Sequence, residues 1–234
     1  MAGQGKWGIR STPVVNNSNV IVTSGLILNL DAGNVNSYVS GSATWNDISS
    51  YGNNGTLVNG PTFNSGNGGS IVFDGTNDYV SCGNPTNLQI TKGSVNTWFK
   101  ANPVQNTTYA GLIVKQNFLG VFIEATKLQI YDWGNSATRD TGVVVADNIW
   151  RNICVTFTET VGTPSNNVKV YINGSLVLTT TIKYVSNSAP FLIGYGNIPY
   201  QYLKGSVSQT SVYSTILSSA EVLQNYNATK SRYI

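Results

Sequence analysis

A chain of 234 residues has room for one large all-β domain or for two small ones. Only 10% of its residues are charged, and Asn, Ser, Thr and Gly carry the polar load, which favours turns and exposed sheet faces over long helices. The net charge is +3 without a cluster of Lys or Arg, so we expect no nucleic-acid partner. No apolar run approaches the roughly 20 residues of a membrane span, so we expect no membrane partner.

Residues 1–24 differ in composition from the rest of the chain. They are Gly-rich and basic, contain no acidic residue, and end in a β-prone segment that would gain from pairing with a sheet edge. We predict that they form a docking arm; the alternative is a disordered terminus. The residues expected to dock are Trp7, Ile9, Arg10, Val20, Ile21 and Val22.

From Gly25 onward, short β-prone segments recur between turns rich in Gly, Asn and Pro. This spacing is typical of a β-sandwich or barrel. Asn173-Gly174 has the sequence of a type I′ hairpin turn. A strand that enters a turn is predicted over residues 25–33. The further predicted strands span residues 71–73, 79–81, 94–100, 111–115, 120–124, 127–131, 142–145, 150–158, 167–172, 175–181, 189–193 and 204–213.

One short helix is predicted at the C-terminal end. Ser218 and Glu221 have the spacing of a capping box, and Leu217 and Val222 have that of a hydrophobic staple. The sequence has no internal repeat and no long linker. We therefore predict one domain over residues 25–234, preceded by the arm of residues 1–24.

The order of these segments resembles the laminin-G-like, concanavalin A-like jelly-roll family. The similar segments are 73–80, 93–100, 150–157, 168–176, 191–194 and 205–213, followed by the helix at 217–226. Segments 30–33, 45–47 and 53–56 also resemble a subgroup common in predicted phage and bacterial surface proteins. The resemblance covers residues 25–229 and implies an all-β, two-sheet antiparallel jelly-roll sandwich. It also places Trp45, Trp98 and Trp150 at positions that pack between the sheets.

The residues needed for catalysis are scarce. The sequence has no histidine, so neither a Ser-His-Asp triad nor a Cys-His pair can form. Its glutamates, Glu124, Glu159 and Glu221, are isolated, whereas glycosidases with this jelly roll carry paired acids on one strand. We predict that the protein is not an enzyme. Cys82 and Cys154 are expected to be buried thiols, with a disulfide between them as the alternative.

A calcium site is the main alternative to a protein without cofactors. Asp74 and Asp78 flank a tight turn at Gly75 and are weak Ca²⁺ candidates, but their carboxylates also suit capping of that turn. Ser208-Gln209 stands where the family usually carries an acidic pair, which argues against a shared cation site. We therefore expect no cofactor.

Aromatic residues in predicted loops offer a binding surface. Tyr184 precedes a Gly- and Pro-rich segment that holds further tyrosines, and Trp133 lies beside Asn and Asp. Such residues suit a glycan site and, equally, a protein–protein contact. The predicted glycan- or partner-binding residues are Trp133, Tyr195, Tyr200 and Tyr202.

Together these features favour a non-catalytic virion structural protein. The hypothesis is a capsid decoration, head-fibre or tail-fibre protein that the arm anchors to partners such as the major capsid protein. We also expect a homo-oligomer, with a cell-surface glycan as a further partner. Because the first residues lack the apolar stretch of a secretory signal, we expect assembly in the host cytoplasm and residence in the virion. The alternative is a carbohydrate-binding module of a bacterial surface protein.

Overall fold

Two antiparallel sheets dominate the computed structural model, which describes residues 20–159 and 165–234. Sheet I consists of β1 (Leu26–Asp31), β4 (Thr62–Asn64), β5 (Ser70–Asp74), β7 (Lys92–Ala101), β12 (Arg151–Thr158), β13 (Val168–Ile172), β14 (Ser175–Thr180) and β16 (Lys204–Tyr213). Sheet II consists of β2 (Thr44–Trp45), β3 (Gly55–Val58), β6 (Tyr79–Ser81), β8 (Tyr109–Lys115), β9 (Leu119–Glu124), β10 (Lys127–Asp132), β11 (Ala137–Val144) and β15 (Leu192–Ile193).

The strand order of each sheet crosses between distant parts of the sequence. In sheet I the order is β14-β13-β12-β7-β16-β5-β4, and β1 pairs with β16; in sheet II it is β11-β10-β9-β8-β15-β6-β3-β2. Within the described residues the α-helical content is one helix, α1 (Ser219–Thr229), besides short 3₁₀ turns at Gly66–Gly68, Thr86–Leu88 and Lys230–Arg232. The predicted all-β jelly-roll sandwich is therefore confirmed. No helix in the described ranges has the length and apolar character needed to span a membrane.

The core lies between the two sheets and follows the two-residue period of the strands. In β7, Val95 and Phe99 point into the core, while Trp98 points to the other face of sheet I. Trp45 is fully buried in this core, as predicted. Cys82 lies in the core and Cys154 beneath α1, both as free buried thiols, which confirms the preferred interpretation of the cysteines.

Helix α1 covers the outer face of sheet I and forms a third layer. Ser218 Oγ accepts the backbone N–H of Glu221, and the Glu221 carboxylate accepts that of Ser218, so the predicted capping box is confirmed. The staple residues Leu217 and Val222 are both buried against sheet I. The cap and the apolar contacts together fix the direction in which the chain returns to the sandwich.

The prediction that all three tryptophans pack between the sheets is wrong for two of them. Trp98 stacks on Tyr226 and Tyr233, and its indole N–H donates to Thr229 Oγ1 at 2.7 Å. Trp150 belongs to the same cluster, since its ring lies 5.1 Å from that of Tyr233. The C-terminal segment provides this second apolar layer, which alternation along a single strand does not reveal.

Two predicted turns have the expected geometry. Asn173 and Gly174 both have positive φ, at 50° and 79°, as a type I′ turn requires, and they join β13 to β14. In the turn after β5, Asp74 Oδ1 accepts the backbone N–H groups of Thr76 and Asn77 at 2.7 and 3.4 Å, and Asp78 Oδ2 accepts that of Asp74 at 3.2 Å. The carboxylates thus stabilise the turn.

The last residues of the predicted arm contact the domain's own helix. Val22 is buried, and its backbone N–H donates to Asn225 Oδ1 at 2.8 Å. The Val20 carbonyl accepts a hydrogen bond from Gln224 Nε2 at 2.9 Å. Trp7, Ile9 and Arg10 lie outside the described residues, so docking by the arm and the domain boundary at Gly25 stay predictions.

Candidate functional site

A groove of about 260 Å³ lies on the outer face of sheet II, on the opposite side of the sandwich from α1. Tyr109 of β8, Phe122 of β9 and Tyr131 of β10 line it because their strand neighbours Ala110, Val121 and Ile130 point into the core. Its remaining walls are Gln116, Trp133, Gly196, Ile198 and Gln201. Three adjacent strands and the loop at residues 194–203 therefore build the site.

The aromatic rings of the groove form a continuous surface. The ring centroids of Tyr131 and Trp133 are 5.1 Å apart, and Phe122 lies 6.1 Å from Tyr131 and 6.3 Å from Trp133. Tyr109 meets Phe122 edge-on at 6.4 Å. These are favourable separations for aromatic pairs, so the rings support one another and leave an apolar surface with hydroxyl groups at its margin.

Glycines make the space that this surface occupies. Gly120 pairs with Tyr131 across β9 and β10, and a Cβ at Gly120 would lie 2.3 Å from Trp133 Cη2. A Cβ at Gly111 would lie 2.4 Å from the backbone nitrogen of Gly196. Separations below 3.0 Å are clashes, so side chains at these two positions would displace Trp133 and the loop that carries Gly196. Both glycines are therefore positioning residues of the groove.

The polar groups of the groove are amides and phenols. Gln201 Oε1 is buried and has no hydrogen-bond partner, a state that costs about 1–3 kcal/mol. Gln116 Oε1 accepts Asn197 Nδ2 at 2.7 Å, an interaction that uses only the acceptor end of the Gln116 amide. A hydrogen bond to Glu124 raises the pKa of the Tyr109 hydroxyl, which keeps it protonated at neutral pH. A ligand hydroxyl could accept a hydrogen bond from the free N–H groups of the Gln116 amide.

Asp132 anchors the loop that presents Trp133. Its carboxylate is buried and accepts hydrogen bonds from Asn135 Nδ2 at 2.9 Å, from the Lys183 backbone N–H at 3.0 Å and from Arg139 Nη2 at 2.6 Å. Burial alone would raise the pKa of Asp132, but these three donors outweigh it and lower the pKa below its ordinary value. The carboxylate is thus ionised at neutral pH and holds the end of β10 in place.

The predicted binding residues do not form one site. Trp133 lines the groove, whereas Tyr195 and Tyr202 stack on each other at 4.5 Å, with Tyr79 at 5.1 Å from Tyr195. Tyr200 is 82% exposed and has a φ of 69°, which is unusual for a bulky residue. Tyr195, Tyr200 and Tyr202 therefore lie in the loop that forms one wall of the groove, but they do not line the groove themselves.

Sequence reasoning included one residue that does not belong to this surface and missed three that do. Tyr184 stacks on Phe118 at 4.8 Å against the core, which corrects its grouping with the loop tyrosines. Tyr109, Phe122 and Tyr131 were missed because they lie in strands. The available signal was an aromatic residue at an outward position of three successive strands.

The thiols are poor nucleophiles in this environment. Burial, followed by the nearby charge of Asp47, raises the pKa of Cys82 to about 12, and burial raises that of Cys154 further. Within residues 20–159 and 165–234, no three His, Cys, Asp or Glu side chains are grouped so that they could hold a metal ion. The carboxylates of Asp74 and Asp78 accept backbone N–H groups of the turn after β5.

The sandwich and its strand order define an all-β jelly-roll domain. The chain belongs to the concanavalin A-like lectin/glucanases superfamily, because a laminin G model of that superfamily matches residues 74–223, more than half of the sequence. The resemblance inferred from the sequence is thereby confirmed. A sequence search of curated proteins found no match.

Solved structures from several organisms share this fold. The binding domain of Paraclostridial Mosquitocidal Protein 1 superposes with a TM-score of 0.68 at 16% identity, over 87% of this chain and 52% of that one. Domain 4 of AbnA, a GH43 extracellular arabinanase from Geobacillus stearothermophilus solved with arabinotriose, gives 0.62 at 19% identity, over 87% and 98%. Trypanosoma rangeli sialidase gives 0.67 at 14% identity, over 92% and 35%.

This chain spans about half the length of the toxin domain and a third of the sialidase chain. At these identities the likeness concerns the fold alone.

Proposed function

We propose that this domain binds carbohydrate through the groove on sheet II and does so without catalysis. The observation that carries the proposal is the continuous aromatic surface of Phe122, Tyr131 and Trp133, flanked by the amides of Gln116 and Gln201. Aromatic faces pack against the apolar face of a sugar ring while amides bind its hydroxyls. The family and the arabinotriose complex of the AbnA domain support this class of ligand.

The arrangement of carboxylates supports a role in binding alone. Glycoside hydrolysis needs two carboxyl groups about 5–10 Å apart across the scissile bond. Among the described residues no carboxylate lines the groove, and Glu124 lies beside it, opposite Tyr109 across β8 and β9. Glu221 caps α1 on the opposite side of the sandwich. The groove thus presents recognition groups without an acid–base pair.

Replacement of Trp133 tests the proposal. Trp133→Ala removes the largest ring of the groove, and we expect glycan binding to weaken at least about tenfold, which corresponds to about 1.4 kcal/mol. The measurement is a glycan array of arabinose, glucose, galactose and mannose oligosaccharides, followed by titration calorimetry with the best ligand.

Tyr51→Ala is the matched control, because Tyr51 is exposed and does not line the groove. Equal affinity of the wild type and Trp133→Ala would reject the groove as the site. The absence of binding by the wild type to every glycan would reject the function.

We further infer that the domain is displayed on a virion and anchored there by its N-terminal segment. The support is compositional: the first 24 residues are Gly-rich, basic and free of acidic side chains, unlike the sandwich. The proposed partners are the major capsid protein and further copies of this chain. The alternative is a module of a bacterial surface protein, in which the groove is the main contact.

A pull-down with particles that lack this protein separates the two locations. We compare the full chain with a chain that begins at Val20, which keeps the contacts of Val20 and Val22 with α1. We expect only the full chain to attach. Equal attachment by both chains would contradict anchoring by the segment and favour attachment through the sandwich.

A further inference from the structure

None of the described residues that line the groove has a charged side chain. Its lining consists of aromatic rings, one aliphatic side chain, one glycine and the amides of Gln116 and Gln201. Burial and a hydrogen bond to Tyr202 raise the pKa of Tyr195, in the loop at residues 194–203, to about 12, and the pKa of Tyr109 is also raised. The hydroxyl groups of Tyr109 and Tyr195 are therefore neutral at physiological pH.

The cations of the neighbouring strands are committed to other groups. Lys127 Nζ lies 3.3 Å from Asp140 Oδ2, and Arg139 donates to the buried Asp132. The methylene groups of Lys183 pack beside Gly134, one residue after Trp133, but Lys183 does not line the groove. An acidic ligand in the groove would thus find no cation among the lining residues.

Glu124 is a carboxylate beside the groove. It lies opposite Tyr109 across β8 and β9, and it raises the pKa of the Tyr109 hydroxyl. Asp140, opposite Gln129 on the edge strand, is paired with Lys127. A carboxylate or sulfate bound in the groove would lose hydration and approach Glu124, which is unfavourable in a partly enclosed site.

The polar groups that line the groove are neutral. The Gln116 amide has N–H groups beyond the bond that its oxygen accepts from Asn197, and the hydroxyl of a neutral sugar could accept from them. An amide carries no net charge that would offset the desolvation of an anionic ligand.

Resting on the proposed carbohydrate binding, we propose that the groove selects uncharged sugars and discriminates against sialylated, uronic acid-containing and sulfated ones. The selectivity arises from the absence of a cation among the described residues that line the groove and from the carboxylate of Glu124 beside Tyr109. Binding of the preferred glycans should accordingly show little dependence on salt, because no ion pair forms with the ligand.

Matched pairs of neutral and acidic oligosaccharides test this inference. Titration calorimetry compares lactose with 3′-sialyllactose, and galactotriose with trigalacturonic acid, at 50 and 500 mM NaCl; arabinotriose serves as a further neutral probe. We expect at least one neutral glycan to bind with a Kd that changes less than about twofold with salt. The acidic member of its pair should bind at least about tenfold more weakly.

The variants Lys183→Ala and Gln116→Lys complete the experiment. Lys183→Ala should leave the Kd for neutral glycans unchanged. Gln116→Lys places a cation in the groove and should reduce the difference in Kd between the neutral and the acidic glycan of each pair. Equal or tighter binding of the acidic glycans would overturn the inference and leave the proposed function standing. Loss of that binding at high salt or in Lys183→Ala would show that an ion pair with Lys183 is responsible. Failure of the wild type to bind either class would overturn both.

Discussion

Lys115 shows how one residue can oppose the stability of the domain. Lys115 is 3% exposed, and it forms no ion pair with any residue in 20–159 or 165–234. Its ammonium donates to Asn84 Oδ1 at 2.5 Å and to the Ala189 carbonyl at 2.6 Å. Burial lowers the pKa of Lys115 from 10.5 to about 8, so at neutral pH the folded protein carries a charge that its surroundings disfavour.

This lowered pKa predicts a rise of stability with pH. Between pH 8 and 10.5 the unfolded chain keeps the Lys115 proton that the folded chain has lost, so the free energy of unfolding increases with pH. Relative to Lys115→Met, the wild type should gain up to about 1.4 kcal/mol per pH unit in this window. Urea unfolding of both proteins at pH 7.5, 8.5 and 9.5 measures the difference between their free energies of unfolding. The titration of tyrosines and thiols is common to both proteins and cancels in this difference. Parallel pH profiles would show that Lys115 is not responsible.

At the scale of elements, β9 and β10 position the ring of Trp133. Gly120→Ala should push this ring away because the new Cβ would lie 2.3 Å from Trp133 Cη2. We expect glycan affinity to fall about tenfold although no side chain of the binding surface is changed.

Gly142→Ala is the control for this variant. Gly142 lies in β11 with φ at 73° and open space around its Cβ position. Its replacement should cost about 1 kcal/mol of stability through the left-handed backbone while leaving affinity intact. Equal loss of affinity in both variants would mean that the groove responds to general destabilisation.

The elements also show what the sequence can and cannot reveal. The alternating strands, the Asn173-Gly174 hairpin and the cap at Ser218 were predictable because each depends on neighbours within a few residues. The destination of Trp98 was not, because the outward face of β7 is covered at Trp98 by the C-terminal segment, which is distant in sequence. Phe122 was also hidden, since it is buried like its core-facing neighbours.

The site was predictable only in part. Trp133 stood out because it interrupts a polar loop. Its partners Tyr109 and Tyr131 are separated from each other by more than twenty residues, and only the pairing of β8 with β9 and of β9 with β10 brings them together. Gly111 and Gly120 look like ordinary strand interruptions, and their role appears once the neighbouring side chains are placed.

At the scale of the whole molecule, the packing beneath α1 and the groove lie on opposite faces of the sandwich. Helix α1 and the C-terminal segment seal the outer face of sheet I, with Asn225 at the centre of the contact: its Nδ2 donates to the Tyr213 hydroxyl at 3.0 Å and its Oδ1 accepts from Val22. The groove lies on the opposite face of the sandwich. Substitutions or deletions beneath the helix should therefore lower the free energy of unfolding without changing the affinity for glycans.

Two truncations test this separation. A chain that begins at Val20 keeps the packing of Val22 against α1, whereas a chain that begins at Gly25 removes it and leaves Asn225 Oδ1 without its buried donor. We expect the shorter chain to remain a sandwich but to be less stable than the longer one by about 2 kcal/mol, which is the burial of one valine side chain together with a hydrogen bond. Urea unfolding measures the stability, and calorimetry with the best glycan should give the same Kd for both. Equal stability would show that Val22 adds nothing to the layer beneath α1, and a lower affinity of the shorter chain would show that the two faces are coupled.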